Sequence, residues 1–300
     1  MPDVTWINGE FFDPGTARIS ASDAGLLHAV GLFETMLGAH ERVFRIDRHL
    51  ARLIASARDL RLADALRPAP LAEAVHLALE RSGYAQDNRR ARIRLTITGG
   101  DLNMLRTERR GPTDPTVIIA VTPALAYPER MFTEGVGVLI ASAKSNPFDP
   151  TAGHKTLNYW WRLSALQEAA RAGMGESLIL QATNHLAGGA VSNVFLVRNA
   201  RLLTPLARGE EPAGALASPV LPGITRDAIM EFAAERSLIV ERRMLTVADA
   251  LDADEIFLTN ASWGILPVIN IEAKIIAAGT PGPITRALRD RWLTAVRDET

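Results

Sequence analysis

The sequence predicts an α/β-type fold, α+β in character, built as two domains. Strand-like and helix-like segments alternate loosely, with several short strands close together, which favours a mixed architecture over an all-α one. The chain has 300 residues, more than one small core fills. The stretch from Thr122-Pro123 to Pro128-Glu129 carries two prolines and no periodicity, as a boundary does. The expected division is a small N-terminal α/β domain over 1–122, a linker over 123–130 and a larger C-terminal domain over 131–300.

Val4-Thr5-Trp6-Ile7, Asn8-Gly9 and Glu10-Phe11-Phe12 read as a hairpin, because Asn-Gly between short apolar runs makes a tight turn. Leu50, Leu53, Ile54, Ala57 and Leu60 recur at helical spacing and predict a helix over 47–60 with one apolar face. A second helix is expected over 70–82, stopping at Gly83. Strands are expected over 92–97 and 116–121. The polar stretch between them, with Gly99-Gly100 and Gly111-Pro112, reads as a long loop of the kind that often carries function. Beyond the boundary come a strand over 136–141, a turn at Lys155, a helix over 157–172 ending at Gly173, and strands over 178–181 and 194–197. Residues 184–189 between those strands look flexible and turn-rich. The proline- and glycine-rich stretch 204–223 reads as irregular. A helix over 226–236, a strand over 255–259 and a helix over 283–297 complete the chain.

The net charge of −1 argues against a nucleic-acid or anionic-membrane partner. Hydrophobic residues at 47% and charged residues at 22% fit an ordinary globular protein. No cysteine is present, which excludes disulfides and thiolate metal sites. No basic region followed by an apolar run opens the chain, and no uncharged apolar stretch reaches the ~18 residues that span a bilayer. A cytoplasmic protein is expected. None of the six histidines makes an HExxH or other close ligand pair, so no metal site is expected. No GxGxxG follows a strand, which argues against a Rossmann dinucleotide enzyme.

Four stretches carry chemistry. In Gly153-His154-Lys155-Thr156-Leu157-Asn158, a lysine entering a helix from a turn can be shielded from water, and a desolvated amine is a nucleophile. In Leu221-Pro222-Gly223-Ile224-Thr225-Arg226, the start of a helix offers backbone N–H groups to a phosphate, and Thr225 is also a plain helix N-cap. An amine and a phosphate cradle together suit pyridoxal 5'-phosphate. In Phe44-Arg45-Ile46-Asp47-Arg48-His49-Leu50-Ala51-Arg52-Leu53, Arg52 is either an exposed helix arginine or a guanidinium fork for phosphate. The fourth stretch is Phe257-Leu258-Thr259-Asn260-Ala261-Ser262-Trp263-Gly264-Ile265-Leu266-Pro267-Val268.

In their order and spacing these stretches resemble the class IV aminotransferases, pyridoxal-phosphate enzymes of fold type IV that include branched-chain aminotransferases, D-amino-acid aminotransferases and aminodeoxychorismate lyases. The resemblance implies a cofactor between two domains and a homodimer. It implies that Lys155 makes the reversible C=N link to the cofactor and then moves a proton between the substrate Cα and the cofactor. It assigns Arg52 to the phosphate, together with the backbone N–H groups of Ile224 and Thr225 and the Thr225 hydroxyl. Ser262 stands near phosphate and substrate, with Ala261 contributing at most backbone. The implied reaction moves an amino group between an amino acid, branched-chain-like, and a 2-oxo acid.

The chain departs from that pattern in two places. Relatives carry a glutamate for the pyridine nitrogen five residues before the Asn of a Ser-Asn-x-Phe stretch; here, counting back from Asn193 reaches Gly188. Three readings stay open: another group such as His185 or a water serves the nitrogen, the reaction is a lyase-type elimination of pyruvate, or the chain is a catalytically impaired cofactor-binding relic. In Asp23-Ala24-Gly25-Leu26-Leu27-His28-Ala29-Val30-Gly31, Ala24 stands where relatives have arginine and Val30 where they have aspartate. His28 is there either a substrate-pocket donor or a partly buried structural histidine. For a substrate carboxylate, Arg106 of the long loop is the candidate, beside Arg109 and Arg110.

Overall fold

A computed structural model of the chain describes residues 3–13, 15–84, 89–101 and 115–300. Contacts divide the chain into two compact units. The first holds Met1–Leu125, His154–Asn158 and Val296–Thr300; the second holds Ala126–Gly153 and Tyr159–Ala295. The short lysine segment groups with the first unit, whereas the sequence led us to expect it in the C-terminal domain.

Among the described residues the first unit is one antiparallel sheet covered by two helices. β1 (Val4–Ile7) and β2 (Glu10–Phe12) are the expected hairpin. α1 (Ala24–His28), β3 (Gly31–Ala39), β4 (Arg42–Val43), α2 (Ile46–Asp59), α3 (Pro68–Ser82), β5 (Ala91–Thr98) and β6 (Val117–Pro123) follow, and the six strands run in the order β2-β1-β6-β5-β3-β4. α2 buries Leu50, Leu53, Ile54 and Ala57, the face that the periodicity predicts. α3 opens with proline, whose fixed φ suits a first helical turn, and ends at Gly83. α2 packs on β3 and α3, α3 packs on β6, β1 and β5, and both helices share one core with Ile93, Leu95, Ile97, Ile119 and Val121 of the sheet. Each such aliphatic side chain contributes about 1.5–3 kcal/mol when fully buried. β5 alternates from Ala91 to Ile97, so Arg92, Arg94 and Thr96 point away from that core.

The second unit contains α4 (Arg130–Thr133), β7 (Val136–Ser145), α5 (Trp160–Arg171), β8 (Glu176–Gln181), β9 (Leu186–Gly189), β10 (Asn193–Arg198), β11 (Arg201–Thr204), α6 (Ile224–Glu235), β12 (Val240–Arg242), α7 (Val247–Leu251), β13 (Glu255–Asn260), β14 (Gly264–Ile271), β15 (Lys274–Ile275) and most of α8 (Pro283–Glu299). Its nine strands form a mixed sheet in the order β12-β11-β10-β13-β14-β7-β8-β9, with β15 on β14. The pairs β7–β8, β7–β14 and β11–β12 are parallel and the rest antiparallel. β8 is buried along its whole length and β10 up to Val197, around the apolar centres Leu178–Leu180 and Val194–Val197.

The α+β class read from the sequence is the class the chain has. Several elements differ in detail. α5 begins at Trp160 and not at 157, because residues 156 and 157 pair with β3. The stretch expected to be flexible contains β9, four buried residues paired to β8. α6 begins at Ile224, so its N-cap is Gly223 and Thr225 lies inside the first turn. Among the described residues no helix is long and apolar enough to cross a membrane.

Candidate active site

In the first unit the lysine segment lies beside β3. Leu32 and Thr156 form an antiparallel bridge, Phe33 N–H donates to the Lys155 carbonyl at 2.9 Å, and Leu157 N–H donates to the Gly31 carbonyl at 3.0 Å. Glycine is needed at 31, since a Cβ there would lie 2.6 Å from both Leu157 Cδ1 and the Ile97 carbonyl oxygen. Lys155 is therefore fixed by sheet-like bonds and not by a helix start, which corrects the expected geometry. Its Nζ sits 4.3 Å from the centre of the Phe33 ring. The guanidinium carbon of Arg94 lies 3.9 Å from the same ring centre. A ring face attracts a cation while replacing water on that side. His154, the preceding residue, hydrogen-bonds through Nδ1 to Ser56 Oγ at 2.9 Å.

Behind this segment lies a buried charge cluster that the sequence did not reveal. Glu34, 1% exposed, accepts from Arg52 Nε at 2.8 Å and Nη2 at 2.5 Å and bonds His49 Nδ1 at 2.7 Å. Burial pushes the Glu34 carboxyl up, but Arg52 and His49 outweigh it and hold the group at about 2. Burial also lowers the His49 imidazole, against the pull of Glu34. Arg52 is thus neither an exposed helix residue nor an isolated fork: its Nε–Nη2 edge is committed to Glu34. Nearby, Asp23 caps α1 through Gly25 N–H at 2.7 Å. Its second oxygen accepts from the hydroxyls of Thr98 at 2.8 Å and Thr116 at 2.7 Å, which flank the long loop. His28 ends α1 and is exposed, so it is not a buried structural histidine. Arg106, Arg109 and Arg110 lie outside the described residues.

In the second unit the turn from β9 to β10 is braced by side chains of neighbouring elements. Gly188 has φ +145°, and a Cβ there would lie 2.7 Å from the Ser192 carbonyl oxygen, so this backbone excludes a side chain at 188. The acid of the turn is instead Glu176 on the adjacent strand. It accepts from the N–H groups of Ser177, Ala190 and Val191 and from the Ser192 hydroxyl. Arg162 of α5 donates to the carbonyls of Gly189 and Ala190. His185 bonds Thr183 at an exposed position.

Two further segments join this turn. Asn193 Nδ2 donates to the Leu221 carbonyl at 2.9 Å and so fixes the approach to α6. Gly223 gives that helix no side-chain cap, which leaves its first-turn N–H groups for another acceptor; Ile224 and Thr225 are both buried there. Asn260 Nδ2 donates to the Val191 carbonyl at 3.3 Å, while its Oδ1 accepts the N–H groups of Ser262 and Trp263. The Ser262 backbone donor is therefore used internally; its hydroxyl and the Ala261 N–H remain the parts this turn offers a ligand. The sequence signals for Glu176, Arg162 and Asn260 were weak, because each is a single polar residue in or beside a strand or helix that reads as ordinary structure.

Taken by itself, the Lys155 amine against the Phe33 ring in the first unit suits an aldehyde. Taken by itself, the α6 start in the second unit, with no side-chain cap and a buried threonine, suits a phosphate. The comparisons with known proteins agree. The family described as Amino-transferase class IV matches residues 31–271. The chain is 30% identical over 288 residues to a putative branched-chain-amino-acid aminotransferase of Methanocaldococcus jannaschii, covering 96% of this chain and 94% of that protein. It is 29% identical over 307 residues to the branched-chain-amino-acid aminotransferase of Escherichia coli strain K12, covering 99% and 94%. A solved branched-chain amino acid aminotransferase from T.th. with pyridoxamine 5'-phosphate superposes with a TM-score of 0.87 at 27% identity, covering 100% of this chain and 96% of that one.

Proposed function

The chain belongs to the class IV aminotransferases and is an enzyme of that family; from that premise we propose that it moves an amino group from a branched-chain-like amino acid to a 2-oxo acid with Lys155 as its catalytic residue and pyridoxal 5'-phosphate as its cofactor. The observation that carries this is the placement of Lys155: its backbone is bonded to β3 and its amine is held against the Phe33 ring. When bound, the cofactor supplies an electron-accepting ring that acidifies the substrate Cα–H. Lys155 contributes an amine whose backbone is bonded to β3, so after it is displaced by substrate it is held to take and return the Cα proton on one face. The N–H groups of Ile224 and Thr225, the Thr225 hydroxyl and the Arg52 guanidinium are assigned to the phosphate, and Ser262 and Ala261 to the phosphate and substrate side. Gly188 contributes backbone alone.

Arg94 is assigned to a substrate carboxylate, because it reaches the same ring as the Lys155 amine and faces away from the core of its sheet. The amino donor is read from the names of the relatives, and the homodimer and cytoplasmic location from the family resemblance and the composition.

Borohydride reduction of the full chain incubated with the cofactor, followed by peptide mass mapping, tests the central assignment. The expected label is on Lys155, and Lys155→Ala loses it together with activity; a label on another residue overturns the assignment. A screen of amino donors and 2-oxo acceptors then identifies the substrates. A second reading, elimination of pyruvate, is favoured by one observation: the backbone at Gly188 has no room for a carboxylate. It predicts release of pyruvate without conversion of the cofactor to its amine form.

A further inference from the structure

The β9–β10 turn makes one backbone bond of its own, Gly189 N–H to the Ser192 carbonyl at 2.8 Å. One further backbone bond ties it to β8, from Ala190 N–H to the Ser177 carbonyl at 2.9 Å, and side chains from elsewhere supply the rest of its bracing. Glu176, fully buried at the start of β8, gathers the largest share: Oε1 accepts from Ser177 N–H at 2.9 Å and Ala190 N–H at 3.2 Å, and Oε2 from Val191 N–H at 3.3 Å and Ser192 Oγ at 3.2 Å. Two consecutive turn amides and the next hydroxyl thus converge on one carboxylate.

We infer that Glu176 is the positioning residue of this turn, and that residues 188–193 hold the shape that receives the cofactor only while Glu176 is ionised. This rests on the reading that the Gly188 turn lines the cofactor site. An ionised carboxylate offers about four acceptor sites, and four donors occupy them. Protonation on the oxygen nearest Ser192 reverses the bond to that hydroxyl, and it removes the negative charge from the bonds to the Ala190 and Val191 N–H groups. Charge-assisted bonds are about twice as strong as neutral ones, so the turn is held less tightly and shifts.

The switch falls within the working range of an enzyme, because burial, opposed by those four hydrogen bonds, raises the Glu176 carboxyl to about 7. The charged group that faces it is Arg162 of α5, itself desolvated and attracted to Glu176. β7 places Val138 opposite Glu176, and β9 brings Leu186, Ala187, Gly188 and Gly189. Neither strand adds a titratable side chain there. The two pH effects of Glu176 have opposite signs. Its raised pKa makes its contribution to global stability largest below the unfolded value of 4.5 and lost as pH rises through about 7. The turn, by contrast, is held by an ionised carboxylate only as pH rises past the raised Glu176 value of about 7.

Pyridoxal 5'-phosphate affinity is measured by absorbance on the full chain between about pH 5.5 and 8.5, for wild type, Glu176→Gln and Ser192→Ala, with borohydride labelling of Lys155 in parallel. The ionisations of the cofactor and of Lys155 are common to the three proteins and cancel in the comparison. Relative to Glu176→Gln, wild-type affinity is expected to weaken below its midpoint by a factor approaching about tenfold per pH unit. At about pH 8 Glu176→Gln binds roughly tenfold more weakly than wild type, and the two converge near about pH 6. Ser192→Ala, which removes one donor from the carboxylate, moves the wild-type midpoint to higher pH and serves if Glu176→Gln does not fold. Parallel curves for wild type and Glu176→Gln, or an unmoved midpoint in Ser192→Ala, overturn the inference and leave the Lys155 assignment standing. Absence of any Lys155 label in wild type overturns that assignment, and the inference falls with it.

Discussion

Glu34 and Arg52 meet edge to edge inside the first unit, with Nε donating to Oε1 at 2.8 Å and Nη2 to Oε2 at 2.5 Å. The pair joins the middle of β3 to the middle of α2, and His49 on the same helix bonds the same carboxylate. Removing one partner of such a pair strands the other charge in a poorly solvated place. Glu34→Gln is expected to destabilise the protein by about 3–5 kcal/mol. Urea denaturation of the two proteins measures it, and a loss below about 1 kcal/mol would show that Arg52 and His49 find other partners.

The same cluster sets an acid limit. Glu34 is held at about 2 against an ordinary 4.5, so the native state binds its proton less readily than the unfolded chain does. Its contribution is fully present above 4.5 and is lost progressively as pH falls from there toward 2. The stability gap between wild type and Glu34→Gln is therefore expected to stay constant down to about pH 5 and then narrow. A gap that narrows between about pH 8 and 6 would point instead to His49 as the controlling group.

Gly188 is constrained by backbone and not by a missing side chain. With φ at +145° and a Cβ position 2.7 Å from the Ser192 carbonyl, Gly188→Ala carries strain on the order of 1–3 kcal/mol and opens the turn. Weaker cofactor retention at nearly unchanged circular dichroism is the expected result. Gly188→Glu, which places a carboxylate in the turn, meets the same obstacle and should lose cofactor too. A faster half-reaction in Gly188→Glu would show that the turn can rearrange to admit the side chain.

Arg94 gives a test at the substrate end. A charge-assisted hydrogen bond to a carboxylate contributes about 1.5–3 kcal/mol. Arg94→Met is expected to raise KM for the 2-oxo acid about 10- to 100-fold with a smaller effect on kcat. Equal losses with monocarboxylic and dicarboxylic acceptors would indicate contact with the carboxylate beside the oxo group, and a loss confined to dicarboxylic acceptors contact with the distal one.

Much of this was legible because it is local. The α2 face reads directly from Leu50, Leu53, Ile54 and Ala57, and the hairpin from Asn8-Gly9. Lys155 and the residues before α6 stand out as short motifs. The hidden parts depend on which strands become neighbours. β3 is buried along nearly all its length and contains Glu34, so it shows neither clean alternation nor a plain apolar run. Glu176 becomes the acid of the glycine turn only because β8 pairs with β9. Asn260 reaches Val191 only because β13 lies beside β10. The helix expected at 157 failed for the same reason: Thr156 and Leu157 had a partner in β3.

Arg226 anchors the helix that is assigned to the phosphate. It is 0% exposed, in the first turn of α6. It donates to both Glu210 oxygens at 2.9 and 2.7 Å, to the Pro205 carbonyl at 3.0 Å and to Thr204 Oγ1 at 3.3 Å. These bonds pin the start of α6 to the segment after β11 and so fix where its first N–H groups point. Arg226→Met keeps the apolar bulk but frees that turn. If the N–H groups of Ile224 and Thr225 hold the phosphate, the preference for pyridoxal 5'-phosphate over unphosphorylated pyridoxal should fall roughly tenfold, in line with the loss of a well-aimed helix terminus. A general loosening of the fold weakens both ligands alike and leaves the ratio unchanged. Titrating the variant with each ligand separates these outcomes, and an unchanged ratio would remove Arg226 from any role in phosphate recognition.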